Sequence, residues 1–254
     1  DLAVANYEGP IQIFQNQGGT LSTTATWSHL YGGSTTTSRF TSLAWGDIDG
    51  DNDLDLVAGV LYEGVVMFRN SGSSFGSSTS WQGGHNANVM DVKLADVDGD
   101  NDLDLIEAVS NGRISTYLNS GATFSSSVTW QSPSDFSTSS IALGDVDADG
   151  DLDILLGTQG DDKIIFYESD GAADPSFSAT TITSSADGIY SVYAKDMDND
   201  GDLDILSASA NDDKIAWYES NGAADPSFTA RTIATSADGA ASVFAADLDG
   251  DGDQ

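Results

Sequence analysis

A nine-residue acidic pattern recurs five times along this chain, and few folds can accommodate it. Four copies run from Asp47 to Asp55, Asp96 to Asp104, Asp145 to Asp153 and Asp196 to Asp204. A fifth begins at Asp247 and reads Asp-Leu-Asp-Gly-Asp-Gly-Asp-Gln, while Asp1-Leu2-Ala3-Val4 is how the other copies continue after their eighth position. The starts lie 49, 49, 51 and 51 residues apart, and joining the last residue to the first adds a step of 54. Five units of about 50 residues therefore tile the 254 residues. A second marker keeps the same period, an aromatic followed four residues on by glycine: Phe14 and Gly18, Phe68 and Gly72, Tyr117 and Gly121, Tyr167 and Gly171, Tyr218 and Gly222.

Within a unit the apolar runs are short. Phe40 to Trp45, Leu54 to Val60, Val65 to Phe68 and Ser78 to Trp81 are separated by Gly, Asn, Asp and Ser, and no window of the sequence carries a helical stripe. Four short strands per unit predict an all-β β-propeller with five four-stranded blades. A lone sheet cannot bury both faces, so the blades are expected to stack, and closing the ring covers the two end blades. The repeat phase predicts a single domain over 1–254, with units at 241–254 plus 1–28, 38–82, 87–130, 137–184 and 188–234. The segment from Ala241 to Ala246 would then supply the first strand of a blade completed by the N-terminal strands.

The loops carry the chemistry. Asp at positions 1, 3 and 5 sets three carboxylates around one point: Asp47, Asp49 and Asp51; Asp96, Asp98 and Asp100; Asp145, Asp147 and Asp149; Asp196, Asp198 and Asp200; Asp247, Asp249 and Asp251. Position 6 is Asn52, Asn101, Gly150, Gly201 or Gly252, residues that tolerate the left-handed turn a tight loop needs. Position 9 adds Asp55, Asp104, Asp153, Asp204 and, across the chain ends, Asp1. By analogy with the EF-hand loop, position 7 (Asp53, Asp102, Asp151, Asp202, Asp253) would give its main-chain carbonyl. These loops hold 25 of the 41 acidic residues. Carboxylates this close repel by about 1–4 kcal/mol per pair at protein-surface dielectrics, which opposes folding unless a cation sits among them. Oxygen-only donors in a flexible loop favour Ca²⁺ over octahedral Mg²⁺, so about five Ca²⁺ ions, one per repeat, are expected.

These are not EF-hands: the Glu at position 12 is missing and the flanks read as strands. The pattern Asp-x-Asp-x-Asp-(Gly/Asn)-x-x-Asp followed by a β-rich apolar run, present in all five units, resembles the FG-GAP/VCBS repeat family, which includes the integrin α-subunit propeller. The resemblance implies propeller blades with Ca²⁺ in the loop between first and second strands, held by the Asp at positions 1, 3, 5 and 9 and the position-7 carbonyl. The chain departs from integrin-like propellers in having five units rather than seven, and in lacking an intact Phe-Gly…Gly-Ala-Pro signature.

Charge and composition narrow the function. A net charge of −33 with eight Lys and Arg argues against nucleic acid and against an anionic membrane surface. No apolar run is long enough to span a bilayer, and the absence of cysteine removes disulfides and thiolate chemistry. Catalytic candidates are few. His29 and His85 are expected in loops on the face opposite the acidic ones, and Glu8 and Glu63 in equivalent Tyr-Glu-Gly turns. Trp27, Trp81 and Trp130 recur near the end of the fourth strand, where Ile182 and Ile233 replace them in the last two units, so packing is their expected role. Tyr7, Tyr31 and Tyr62 would gather on the face opposite the ions as a recognition surface, while Trp45 recurs less regularly. The expected protein is a secreted or cell-surface, calcium-stabilised binding or adhesion module without enzymatic activity. Its partner would be an extracellular protein or glycan on the ion-free face, with no nucleic acid and no membrane insertion. The competing readings are a propeller domain of a polysaccharide-degrading enzyme, and a structural segment of a larger repetitive surface protein or filament.

Overall fold

The computed structural model describes residues 1–33, 39–72, 74–76, 79–84, 88–133 and 136–254. His85 lies outside the described residues. Apart from one 3-10 turn at Tyr31–Gly33, the described regular structure is all β. Each repeat forms one antiparallel sheet whose neighbouring strands follow each other in the chain. The first sheet holds β1 (Leu2–Val4), β2 (Ile11–Phe14) and β3 (Trp27–His29). The second holds β4 (Phe40–Gly46), β5 (Asp55–Val60), β6 (Gly64–Phe68) and β7 (Trp81–Gly83). The third holds β8 (Val89–Ala95), β9 (Asp104–Val109), β10 (Arg113–Tyr117) and β11 (Trp130–Gln131). The fourth holds β12 (Thr138–Gly144), β13 (Asp153–Thr158), β14 (Ile164–Ser169) and β15 (Phe177–Thr183). The fifth holds β16 (Ile189–Lys195), β17 (Asp204–Ser209), β18 (Lys214–Ser220) and β19 (Phe228–Ala234). This up-and-down order is that of propeller blades.

The chain divides into two compact units, one of Asp1–Ala95, Asp102–Ser110 and Ile114–Gln131, the other of Asp96–Asn101, Asn111–Arg113 and Ser132–Gln254. Inside the first unit the sheets stack face to face, and β5 shows how. Leu56, Ala58 and Val60 point into one core with Ile11, Ile13 and Phe68. Val57 points the other way, into a second core with Val89, Val92 and Leu105. A strand with apolar neighbours on both faces reads as a continuous apolar run, and all of β5 is buried. Inside the second unit, Leu155, Ile164 and Phe166 of the fourth sheet pack on Ile189, Val192 and Ile205 of the fifth.

Three serines tie neighbouring layers together. The backbone N–H of Val92 donates to Ser42 Oγ at 3.3 Å, that of Val192 to Ser140 Oγ at 3.3 Å, and that of Val243 to Ser191 Oγ at 3.4 Å. Each serine follows a register shift in the first strand of its sheet, the kind of bulge that re-aims a side chain out of the ladder.

Three local expectations differ from the structure. The first sheet has three strands, and residues 241–247 carry none. Even so, Val243 docks on Ser191 as Val92 and Val192 of first strands dock on Ser42 and Ser140. Trp27, Trp81 and Trp130 open the short last strands of their sheets rather than ending them, and the residue before each (Thr26, Ser80 or Thr129) adds one backbone N–H bond to the neighbouring strand at 2.8–2.9 Å. Residue 78, expected to begin β7, lies outside the described residues. His29 belongs to β3 rather than a loop, paired with Ile11 and stacked on Trp27 at 5.8 Å.

Candidate metal centre

Four of the acidic segments are tight loops between the first and second strands of a sheet, the fifth follows residues that form no strand, and all five are built by two left-handed residues. Positions 4 and 6 both have positive φ: 74° and 69° at Gly50 and Asn52, 60° and 97° at Ala148 and Gly150, 61° and 100° at Asn199 and Gly201. The sequence singled out position 6 alone, although Gly or Asn at position 4 in four of the five copies carried the same signal. The double turn folds the backbone back onto the first carboxylate. Asp47 Oδ2 accepts the Asn52 N–H at 2.9 Å, and Asp96, Asp145, Asp196 and Asp247 repeat this bond with Asn101, Gly150, Gly201 and Gly252 at 2.9–3.1 Å. The carboxylate at position 5 (Asp51, Asp149, Asp200, Asp251) accepts the N–H of position 7 at 2.9–3.0 Å.

Position 9 has a role that the spacing did not reveal. Asp55, Asp104, Asp153 and Asp204 are almost fully buried, and each takes the N–H of a residue beyond the next aromatic: Asn70, Asn119, Ser169 and Ser220, at 2.7–2.9 Å. The second oxygen of Asp55, Asp153 and Asp204 accepts the N–H of loop position 2, at 2.8–3.3 Å. These carboxylates clamp the start of the loop to the end of the third strand. Asp1 makes the matching bond to the Asn16 N–H at 2.8 Å. In three repeats the position-7 side chain rests on the glycine that follows the aromatic. A Cβ on Gly72 would sit 2.5 Å from Asp53 Oδ2, and one on Gly171 or Gly222 would collide with the carboxylate of Asp151 or Asp202. In those three repeats glycine leaves the room that carboxylate needs, whereas a Cβ on Gly121 would meet Asp102 Oδ2 at an ordinary 3.6 Å and one on Gly18 nothing within 4 Å.

Carboxylate oxygens converge in these loops. One from each of Asp47, Asp49 and Asp51, of Asp145, Asp147 and Asp153, of Asp196, Asp198 and Asp204, and of Asp247, Asp249 and Asp251 lie within 4.8 Å of one another. Asp96, Asp98 and Asp104 are the counterparts in the second loop by position. Asp49 Oδ1, Asp145 Oδ1 and Asp196 Oδ1 are buried without a hydrogen-bond partner. A buried carboxylate oxygen lacking a donor is costly, and a cation would supply what is missing. The donor set is oxygen alone, so the residues present fit a hard divalent ion.

The charge crowding is visible in the acidities. Burial pushes the Asp153 carboxyl up to about 7, helped by the charges of Asp147 and Asp149 and opposed by the N–H groups of Ser169 and Val146. Burial also raises Asp55, Asp147 and Asp204, with neighbouring loop carboxylates adding to the shift. Asp247, fully exposed, is lowered instead by the N–H groups of Gly250 and Gly252.

Other candidates have ordinary packing roles. Trp81 meets Tyr117 and Phe124 edge-on at 6.0 and 5.3 Å, and Trp27 does the same with Phe68 at 5.3 Å. Burial lowers the pKa of His29, which favours the neutral ring where it packs against Trp27 and Phe68. Tyr7 and Tyr62 are exposed, Tyr7 beneath the Arg39 guanidinium, and the Tyr31 hydroxyl accepts a bond from the Gln82 amide at 2.6 Å. No helix among the described residues is long and apolar enough to cross a membrane.

The family model described as FG-GAP-like repeat matches residues 1–58, 47–107, 107–156, 145–207 and 196–254. A comparison with curated proteins finds no match. Five matches that run from the first residue to the last, in a chain with five sheets and five acidic loops, place it in the FG-GAP-like repeat family.

Proposed function

We propose that this chain is a calcium-stabilised extracellular binding module whose ions serve structure, one per acidic loop. The observation that carries this reading is the set of buried carboxylate oxygens, Asp49 Oδ1, Asp145 Oδ1 and Asp196 Oδ1, that face other carboxylates and have no donor. Bound, a divalent ion supplies the positive charge that lets these loops close. The Asp at positions 1, 3, 5 and 9 and the position-7 carbonyl are the assigned ligands. Five divalent ions would cancel ten of the 33 net negative charges. Extracellular modules of this type work with dissociation constants of about 10⁻⁴–10⁻³ M, which suits a secreted or surface location better than a calcium-poor cytosol. Family members are generally non-enzymatic, which supports a binding role. The partner would be an extracellular protein or glycan docking at the strand ends remote from the loops, where Tyr7 and Tyr62 are exposed.

Thermal melting in calcium and in excess chelator, at matched ionic strength, tests the structural role. The melting temperature should fall on metal removal by far more than a monovalent-salt control explains, and unchanged melting would sink the reading. A glycan array probed with calcium and with chelator tests the carbohydrate arm of the partner assignment.

A further inference from the structure

The residue directly after each aromatic differs in charge from repeat to repeat: Gln15, Arg69, Leu118, Glu168 and Glu219. In the second sheet, Arg69 Nη1 forms an ion pair with Asp49 Oδ2 at 3.1 Å, and its other terminal nitrogen donates to the Ala122 carbonyl. Asp49 is position 3 of the first loop, one of the converging carboxylates. Arg69 directly follows Phe68, the partner of Leu56 next to loop position 9, and the same register puts Glu168 after Tyr167, paired with Ile154, in the fourth sheet and Glu219 after Tyr218, paired with Ile205, in the fifth. The same structural position therefore puts a cation beside one metal loop and an extra anion beside two others.

The two glutamates differ in turn. Glu219 is held by Arg231, whose Nε donates to it at 2.5 Å and whose guanidinium lies over the Trp217 ring. The residue paired across the strands at that register in the fourth sheet is Thr180, so Glu168 meets the Ser178 hydroxyl at 3.4 Å instead of a cation.

Resting on the calcium reading above, we infer that this position grades the affinity of the loops for divalent cations. Arg69 is a built-in counter-ion that weakens the first loop, the uncompensated Glu168 makes the third loop the tightest, and the Arg231-neutralised Glu219 leaves the fourth between them. A unit charge within a few ångströms of a divalent site changes its affinity by about tenfold at water-like screening. The chain would then load in steps as calcium rises, the first loop after the third and fourth.

The position-6 amides report each loop separately, because each donates to its own position-1 carboxylate. A calcium titration followed by two-dimensional amide NMR should show Gly150 moving at the lowest calcium, then Gly201, then Asn52. Arg69→Gln should lower the Asn52 midpoint about tenfold, while Arg69→Lys, which keeps the charge, should leave it high. Glu168→Gln should raise the Gly150 midpoint, and Arg231→Gln should lower that of Gly201. A common midpoint for all loops, or an Asn52 midpoint that Arg69→Gln leaves in place, overturns the grading while the calcium reading stands. Amides that do not respond to calcium at all overturn both.

Discussion

The Asp153 carboxylate takes a hydrogen bond from the backbone N–H of Ser169 at 2.9 Å, joining the end of an acidic loop to a strand end sixteen residues further along. Its other oxygen takes the Val146 N–H at 2.8 Å, so one buried side chain fixes both the entry to the loop and the strand beside it. The same carboxylate is among the converging groups of its loop, so a cation held there would couple to protonation and folding at one residue.

That coupling gives the cation-free chain an inverted pH dependence. The Asp153 carboxyl, at about 7 in the fold against 3.8 without it, stays protonated where the unfolded chain has ionised. Between about pH 4 and 7 the native state therefore binds more protons, and stability falls as pH rises through that window. Asp55 and Asp204 are raised and act in the same direction. In chelator the melting temperature should decline from pH 5 to pH 8, by about 2–4 °C for each kcal/mol lost. In calcium it should rise over the same range, because the ligands must be ionised to bind. Parallel pH profiles in chelator and calcium would remove the assigned coupling.

Ala148 is the one position-4 residue that is neither Gly nor Asn, and it sits at φ 60°. Left-handed backbone strains an alanine by about 1–2 kcal/mol, part of which glycine returns as entropy of the unfolded chain. Ala148→Gly should stabilise the protein by about 0.5–1 kcal/mol in denaturant titrations. A loss of stability would mean the third loop does not adopt this double turn.

Gly171 and Gly150 separate crowding from backbone strain. Both have positive φ, but a Cβ on Gly171 would run into the Asp151 carboxylate while one on Gly150 meets nothing within 4 Å. Gly150→Ala should cost about 1–2 kcal/mol, and Gly171→Ala about 2–4 kcal/mol together with weaker calcium binding. Equal costs measured by calorimetry would show that the position-7 carboxylate does not depend on that glycine.

Asp149 and Asp170 are both acidic residues of the fourth repeat, yet only Asp149 belongs to an acidic loop. Asp170 caps a turn by accepting the Ser176 N–H and hydroxyl at 3.0 and 2.6 Å. Asp149→Ala should lower the melting temperature far more in calcium than in chelator, whereas Asp170→Ala should cost the same in both. A calcium-independent effect of Asp149→Ala would take it out of the ligand set.

The five-fold repeat, the placement of each acidic loop and the oxygen-only donor set were legible in the sequence, because they follow from spacing within nine residues and from apolar runs a few residues long. Strands such as β5 and β6 fall within a residue of their expected limits for the same reason. Only the tertiary structure decided which oxygens are left without a donor, that position 9 clamps two segments, and that Arg69 rather than a glutamate stands beside the first loop. It also moved His29 into a strand and the tryptophans to the start of theirs. Those outcomes depend on partners 15 residues apart, as for Asp55 and Asn70, or 50, as for Ser42 and Val92. Such partners meet only when strands pair and sheets stack, and burial between them, not local spacing, sets the charge each carboxylate can hold.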